Sequence, residues 1–285
     1  MDSVASSQLR HRVEDRIRDW RVVVERTLET ESSFIAFGRR GNQPVVLKVV
    51  RNRGDEWRAG EILDDFDGSG VVRAYEYIDG AVLMECLIPG HPLIEVVRKG
   101  RDEEATEILA DVIARMSPRA LVNKTPTIED WAKGFERYAA TGNARISRDL
   151  VEEGHRVYVE LCGSQSQPRL LHGDLHHYNV LSDSARGWLA IDPKGVVGEL
   201  EYEVGAMLRN PYERRELFTE QATIERRIRR LSSTLHLDAS RILAWGFAQA
   251  VLSAIWSVED GLAVEPTNPS IALAHAIRPM LDARS

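Results

Sequence analysis

The feature that most restricts the fold is a change of texture at Pro89-Gly90. Before that dipeptide, short apolar runs alternate with turn residues; after it, apolar residues recur at three- and four-residue intervals. A period of two alternates side chains across a strand, and the longer interval builds one stripe of a helix, so the two parts form different kinds of layer. Residues 33–37 and 45–50, joined by a turn over 38–41, predict a hairpin in which Val46, Lys48 and Val50 share a face. Residues 71–78 and 81–87 flank Asp79-Gly80, a pair that accepts the positive φ angles of a tight hairpin turn. Residues 4–28, with Val13, Ile17, Val24 and Leu28 among charges, predict an amphipathic helix, and residues 55–66 predict another.

Beyond Pro89-Gly90, Asp102 can cap a helix carrying Leu109, Val112, Ile113 and Met116 until Pro118 ends it. Residues 218–283 return to helix, with Asp238 and Asn268 as N-caps and Pro269 in a first turn. The longest apolar run, 242–255, is interrupted by Gln249 and Ser253 and is shorter than the roughly 20 residues of a membrane span, so it predicts a buried helix. The expectation is an α+β chain of two domains, a sheet-rich 1–87 and a helical 88–285.

With 37 basic and 44 acidic residues the net charge is −7, which excludes a general basic field for nucleic acid or an anionic membrane and favours a cationic small partner. Cys86 and Cys162 lack metal-knuckle spacing, and the charged start is wrong for a secretory signal, so a reducing cytoplasm is the expected location.

Chemistry concentrates in residues 172–179, His-Gly-Asp-Leu-His-His-Tyr-Asn, set between two short strand signals. Asp192 ends a third apolar run and precedes Pro193, which presents its carboxylate at a chain reversal. Asp174, Asn179 and Asp192 together supply what phosphoryl transfer from a magnesium nucleotide needs: one acid to take a hydroxyl proton, and an amide and a second acid to hold the metal. Lys48, set among valines, is the candidate cation for the phosphates, and an ammonium there requires an acid, either Glu56 or Glu61. Two other readings compete. His172, Asp174, His176 and His177 could be transition-metal ligands of a hydrolase, and the chain could be a nucleotide-binding pseudokinase. The bland reading of Asp174 and Asn179 is turn capping, and that of Lys48 an edge-strand charge.

These residues resemble the aminoglycoside phosphotransferases, and within them the streptomycin 6-phosphotransferase and hydroxyurea kinase family. The H-G-D-L-H-x-x-N motif at 172–179, the run Ile191-Asp192-Pro193-Lys194-Gly195 and the continuation 198–203 carry the resemblance, which extends over about residues 30–211. It implies a protein-kinase-like bilobal fold with ATP and Mg2+ as cofactors. It also implies Asp174 as catalytic base, Asn179 and Asp192 as magnesium ligands, Lys48 as the phosphate-binding lysine with Glu56 as its partner, and Met84, Glu85 and Leu87 in an adenine-binding hinge. The implied activity is phosphorylation of a small-molecule hydroxyl, with streptomycin the leading acceptor and hydroxyurea, another antibiotic or an amino sugar as alternatives. The hairpin holds only Gly38 and Gly41 of a glycine-rich loop, which leaves part of the phosphate contact to Ser32 and Ser33. For a cationic acceptor the acid-rich segments 199–203 and 259–260 suggest Glu199, Glu259 and Asp260, with Trp256 one turn away as an aromatic face.

Overall fold

A computed structural model of the protein describes residues 2–116, 125–265 and 267–282; for residues 2–6 and 282 only the backbone is described. Pro118, the expected helix stop, lies outside the described residues. The chain divides into two compact units, one formed by the described residues of 2–91, 115–116 and 181–195, the other by 92–114, 125–180, 196–265 and 267–282. The sequence expectation placed a single border at Leu87; the grouping of contacts also returns the chain to the first unit for Leu181–Gly195.

The first unit opens with helix α1 (Asp2–Asp19), followed by strands β1 (Val23–Glu29), β2 (Ser33–Arg40) and β3 (Gln43–Val50), helix α2 (Ala59–Phe66), and strands β4 (Ala74–Ile78) and β5 (Ala81–Glu85). The five strands form one antiparallel sheet in the order β1-β2-β3-β5-β4. Period-two alternation in β3 sends Val45, Leu47 and Val49 into a core with Leu9, Val13, Val22 and Leu83, so Val46, Lys48 and Val50 occupy the opposite face as expected. Register places Lys48 across from Ile35 of β2 and Val82 of β5, in the middle of the sheet.

The helix expected over 4–28 stops at Asp19, and residues 23–29 form an edge strand instead. Val22-Val23-Val24 is a β-branched run that suits a pleated strand, and the charged residues that had suggested a solvated helix face are those of an exposed edge. The turn expected over 38–41 is a two-residue loop at Gly41-Asn42, because β2 pairs through Arg40 with Gln43. Helix 55–66 starts as a 3-10 turn, Asp55–Arg58, before α2 buries Ile62, Leu63 and Phe66. Residues 71–73 lie outside β4, yet they anchor the later segment: Ala190 N donates to Gly70 O at 2.9 Å, and Val72 N to Ala190 O at 2.9 Å. That clasp sets where Ile191-Asp192 leaves the strand Gly187–Ala190.

The second unit is helical, with α3 (Asp102–Arg115), α4 (Ile128–Ala140), α5 (Arg148–Gly163), α6 (Gln221–Leu235), α7 (Ala239–Glu259) and α8 (Pro269–Asp282) as its long elements. Helix α7 is its axis and packs against α4, α5 and α8. Trp245, Phe247, Val251, Leu252 and Ile255 of α7 are fully buried, each contributing about 1.5–3 kcal/mol by leaving water. Helix α7 is long and apolar enough to cross a membrane, but 67% of its most apolar window is buried inside the protein.

The caps act as expected. Asp238 accepts from the backbone N–H groups of Ser240 and Arg241 at 2.7 and 3.1 Å, and Asn268 from Ser270 and Ile271 at 2.9 and 3.3 Å. Asp102 differs. Its carboxylate accepts from the buried Arg227 Nε at 3.2 Å and from Arg226 Nη2 at 3.1 Å, because a buried guanidinium demands an anion more strongly than a helix terminus does.

Candidate active site

In the first unit Lys48, Glu56 and Asp192 come together. Lys48 Nζ lies 2.8 Å from Glu56 Oε2 and 2.8 Å from Asp192 Oδ1, with the lysine side chain only 4% exposed. Burial is the largest single influence and lowers the lysine pKa, but Asp192 and Glu56 together outweigh it, so the net shift is upward and the cation is secured. Glu56 sits in the 3-10 turn; Glu61, the other candidate, is turned to Arg58 Nε at 2.7 Å. Asp192 holds its carboxylate there from a left-handed backbone with φ +57°, a conformation that Asp tolerates better than most residues and that still costs about 1 kcal/mol or more.

Beside this ion cluster is a cavity of about 320 Å³, the size of a small-molecule site. Ile35, Phe37, Val46, Val72, Met84, Leu87, Leu181 and Ile191 give it apolar walls, and Lys48 and Asp192 line it too. Met84, Glu85 and Leu87, the residues of the expected hinge, are in this lining. The Glu85 side chain is committed elsewhere, to Arg186 and to Arg73 N at 2.8 Å. Cys86 and Leu87 follow the last ladder pair, Val45 with Glu85, so their backbone is outside the sheet at the cavity rim. Ser33, at the start of β2, is buried and its Oγ lies 3.5 Å from Glu56 Oε2. The apolar walls escaped the sequence reading apart from the hinge, although Ile35 and Phe37 alternate on one face of β2, a signal that could have found them.

In the second unit the motif loop follows strand Arg169–Leu171. Glu203, buried and in the short helix Leu200–Glu203, accepts from His172 N at 2.6 Å and from Gly173 N at 3.1 Å. Burial drives the Glu203 carboxyl up to about 7, against the pull of those backbone donors. Gly173 turns the chain at φ +80°, a region open to glycine, immediately before Asp174. Asn179 Nδ2 donates to Asp174 O at 3.0 Å, which ties the two motif residues together through the amide nitrogen and leaves the amide oxygen outside that bond. Asp174 Oδ1 stands 3.8 Å from both His176 Nε2 and Arg209 Nη2. Sequence reasoning missed Arg209 and assigned Glu203 no role; Gln249, a lone amide in an apolar helix, was the visible hint of a polar network there.

Of the acids suggested for a cationic acceptor, Glu199 lies in the core and Glu259 and Asp260 lie at the end of α7. Glu199 is a correction: its side chain is fully buried, paired with Arg241 Nε at 2.6 Å and bonded by Trp245 Nε1, so it is a core ion pair with no access to a ligand. Glu259 forks onto Arg137 at 3.0 and 3.1 Å, which neutralises its charge, and Trp256 stands edge-on to Trp131. Asp260, exposed, is the C-cap residue of α7. Among the described residues no group of three or more His, Cys, Asp and Glu side chains is arranged to hold a metal ion, and His172 and His177 are buried.

The fold is the protein-kinase-like fold of small-molecule kinases. Solved structures with the same fold include the aminoglycoside phosphotransferase APH(4)-Ia in ternary complex with ADP and hygromycin B (TM-score 0.65, 15% identity, 95% of this chain and 97% of that one). The choline kinase LicA of Streptococcus pneumoniae is another (TM-score 0.62, 14% identity, 97% and 99%). Within that class the chain belongs to the aminoglycoside/hydroxyurea antibiotic resistance kinase family, whose model matches residues 20–261. Its relatives include a streptomycin 3''-kinase of Klebsiella pneumoniae, 34% identical over 250 residues and covering 85% of this chain and 91% of the relative. A hydroxyurea phosphotransferase of Kitasatospora aureofaciens is 30% identical over 259 residues, covering 83% and 72%. The protein is a phosphotransferase of the antibiotic-modifying kind.

Proposed function

We propose that the protein transfers the γ-phosphoryl group of ATP to a hydroxyl of an aminoglycoside, streptomycin in the first instance, in the cytoplasm. The observation that carries this reading is the Lys48–Glu56–Asp192 cluster at the wall of an apolar cavity that suits a nucleotide base. Met84, Glu85 and Leu87 bring backbone groups to the base, and Lys48 binds phosphate oxygens. The domain assignment that goes with it is 1–87 for nucleotide and 88–285 for catalysis and acceptor.

The chemistry of the two assigned ligands suits Mg2+: the Asp192 carboxylate and the amide oxygen of Asn179 are each hard oxygen donors. The metal, when bound, would neutralise charge on the phosphate oxygens. Asp174 accepts the acceptor's hydroxyl proton as that oxygen bonds to the γ-phosphorus, and the bond from phosphorus to the bridging oxygen breaks to release ADP. Adding a phosphate brings about two negative charges to a drug that binds its target as a cation, which accounts for resistance. The acidic balance of the chain, −7, suits a cationic acceptor.

A second reading, phosphorylation of hydroxyurea, is favoured by the Kitasatospora relative. Purified protein assayed for ADP release with Mg2+ and ATP or GTP, over streptomycin, hygromycin B, hydroxyurea and choline, tests both. ADP release with streptomycin that disappears in Asp174→Asn supports the first reading, release with hydroxyurea alone transfers support to the second, and no acceptor-dependent release overturns both.

A further inference from the structure

We infer that Arg209 is a positioning residue for phosphoryl transfer, acting through Asp174; the inference rests on the reading of Asp174 as the base. Arg209 leaves the short helix Gly205–Leu208 with its side chain only 11% exposed. Burying a guanidinium is costly unless its donors and its charge are both answered. One arm donates from Nη1 to Gln249 Oε1 at 2.7 Å, and the other presents Nη2 to Asp174 Oδ1 at 3.8 Å.

Gln249 is built to hold that arm. It lies in apolar helix α7, 2% exposed, and its other end donates from Nε2 to Tyr202 O at 3.2 Å, so both ends of a buried amide are satisfied and its orientation is fixed. Gly205 permits the approach: a Cβ there would sit 2.1 Å from Gln249 Oε1, so the helix that carries Arg209 lies directly on the amide. The guanidinium is therefore held beside Asp174 by a buried amide of core helix α7.

The separation matters. At 3.8 Å the guanidinium acts on the carboxylate through its charge, at a separation longer than a hydrogen bond. Asp174 also faces His176 at 3.8 Å and feels the charge of Glu203, and Arg209 faces Tyr202; of these neighbours Arg209 brings a permanent cation to the base. A carboxylate set at the correct angle before the acceptor arrives lowers the barrier by orientation, which small displacements can cost as much as 10²-fold.

The test is a double-mutant cycle on the full chain: Arg209→Met and Arg209→Lys, each in the wild-type and Asp174→Asn backgrounds, with kcat followed by transfer of radiolabelled phosphate. Arg209→Met is expected to lower kcat about 10- to 100-fold with the KM for ATP within about twofold, and Arg209→Lys to recover part of the loss. In the Asp174→Asn background Arg209→Met should change the residual rate by less than about twofold, because its route of action is gone. Equal losses in both backgrounds, or a kcat near wild type in Arg209→Met, overturn the inference. If Arg209→Met fails to fold, the same cycle with Arg209→Lys decides it. A near-normal kcat in Asp174→Asn alone would instead remove the base assignment, so the two failures are distinct.

Discussion

Lys48 Nζ and Asp192 Oδ1 are 2.8 Å apart, one on the middle strand of a sheet and the other on a loop clasped to that unit through Gly70 and Val72. The pair brings together the two side chains that the proposed function assigns to a magnesium nucleotide in the first unit, and Glu56 completes the cluster from a third segment. Because the two acids are about a quarter exposed, they can be hydrated when the lysine is removed.

Lys48→Met is therefore expected to fold and to lose at least 10²-fold in kcat/KM for ATP. Glu56→Gln should raise the KM for ATP by about tenfold, whereas Glu61→Gln should stay within about twofold, since Glu61 is held by Arg58 at 2.7 Å. Steady-state kinetics on the three variants check this, and equal effects at positions 56 and 61 would contradict the placement.

Asp192→Asn retains a residue type that accepts the left-handed φ of +57°, so it isolates the charge from the backbone. Turnover should fall by 10²-fold or more, and the magnesium concentration for half-maximal rate should rise. A magnesium titration identical to wild type would remove Asp192 from the metal role.

Glu199→Gln tests the corrected placement. Leaving Arg241 without its buried partner should cost about 3–5 kcal/mol and lower Tm by several degrees, with the acceptor KM unchanged in the folded fraction. A raised acceptor KM at unaltered Tm would restore a substrate role.

Glu203 links stability to pH. Its folded pKa, about 7, lies above the ordinary 4.5, so the buried acid retains a proton that the unfolded chain gives up. The stability that protonation confers is complete below pH 4.5 and is lost as pH rises through about 7, a change of up to about 3 kcal/mol. Denaturant unfolding of wild type and Glu203→Gln across that window should therefore show the difference moving in favour of the variant as pH rises. A difference constant with pH would show that Glu203 is ionised throughout.

How much was legible follows from which residues act through type and local spacing. Lys48 among valines, the His-Gly-Asp run and Asp192 before Pro193 each combine a chemical group with a local backbone requirement, and all were visible along the chain. The stretch 22–29 was misread because its valines satisfy a helical spacing as well as a strand; the choice fell to pairing with β2, which spacing does not contain. Glu56 and Glu61 are equivalent as acids, and only the 3-10 turn before α2 points the first at Lys48.

The sequence by itself determined the strand-to-helix change at Pro89-Gly90, the face of β3 that carries Lys48, the caps at Asp238 and Asn268, and the motif residues Asp174, Asn179 and Asp192, because each depends on side-chain type and on neighbours within a few positions. Tertiary structure alone decided that Glu199 is a core ion pair, that Glu203 holds the motif loop and that Arg209, braced by Gln249, faces Asp174. Those roles depend on burial and on partners far away in the chain, and an acid or a guanidinium carries no local mark of whether water or another charge will meet it.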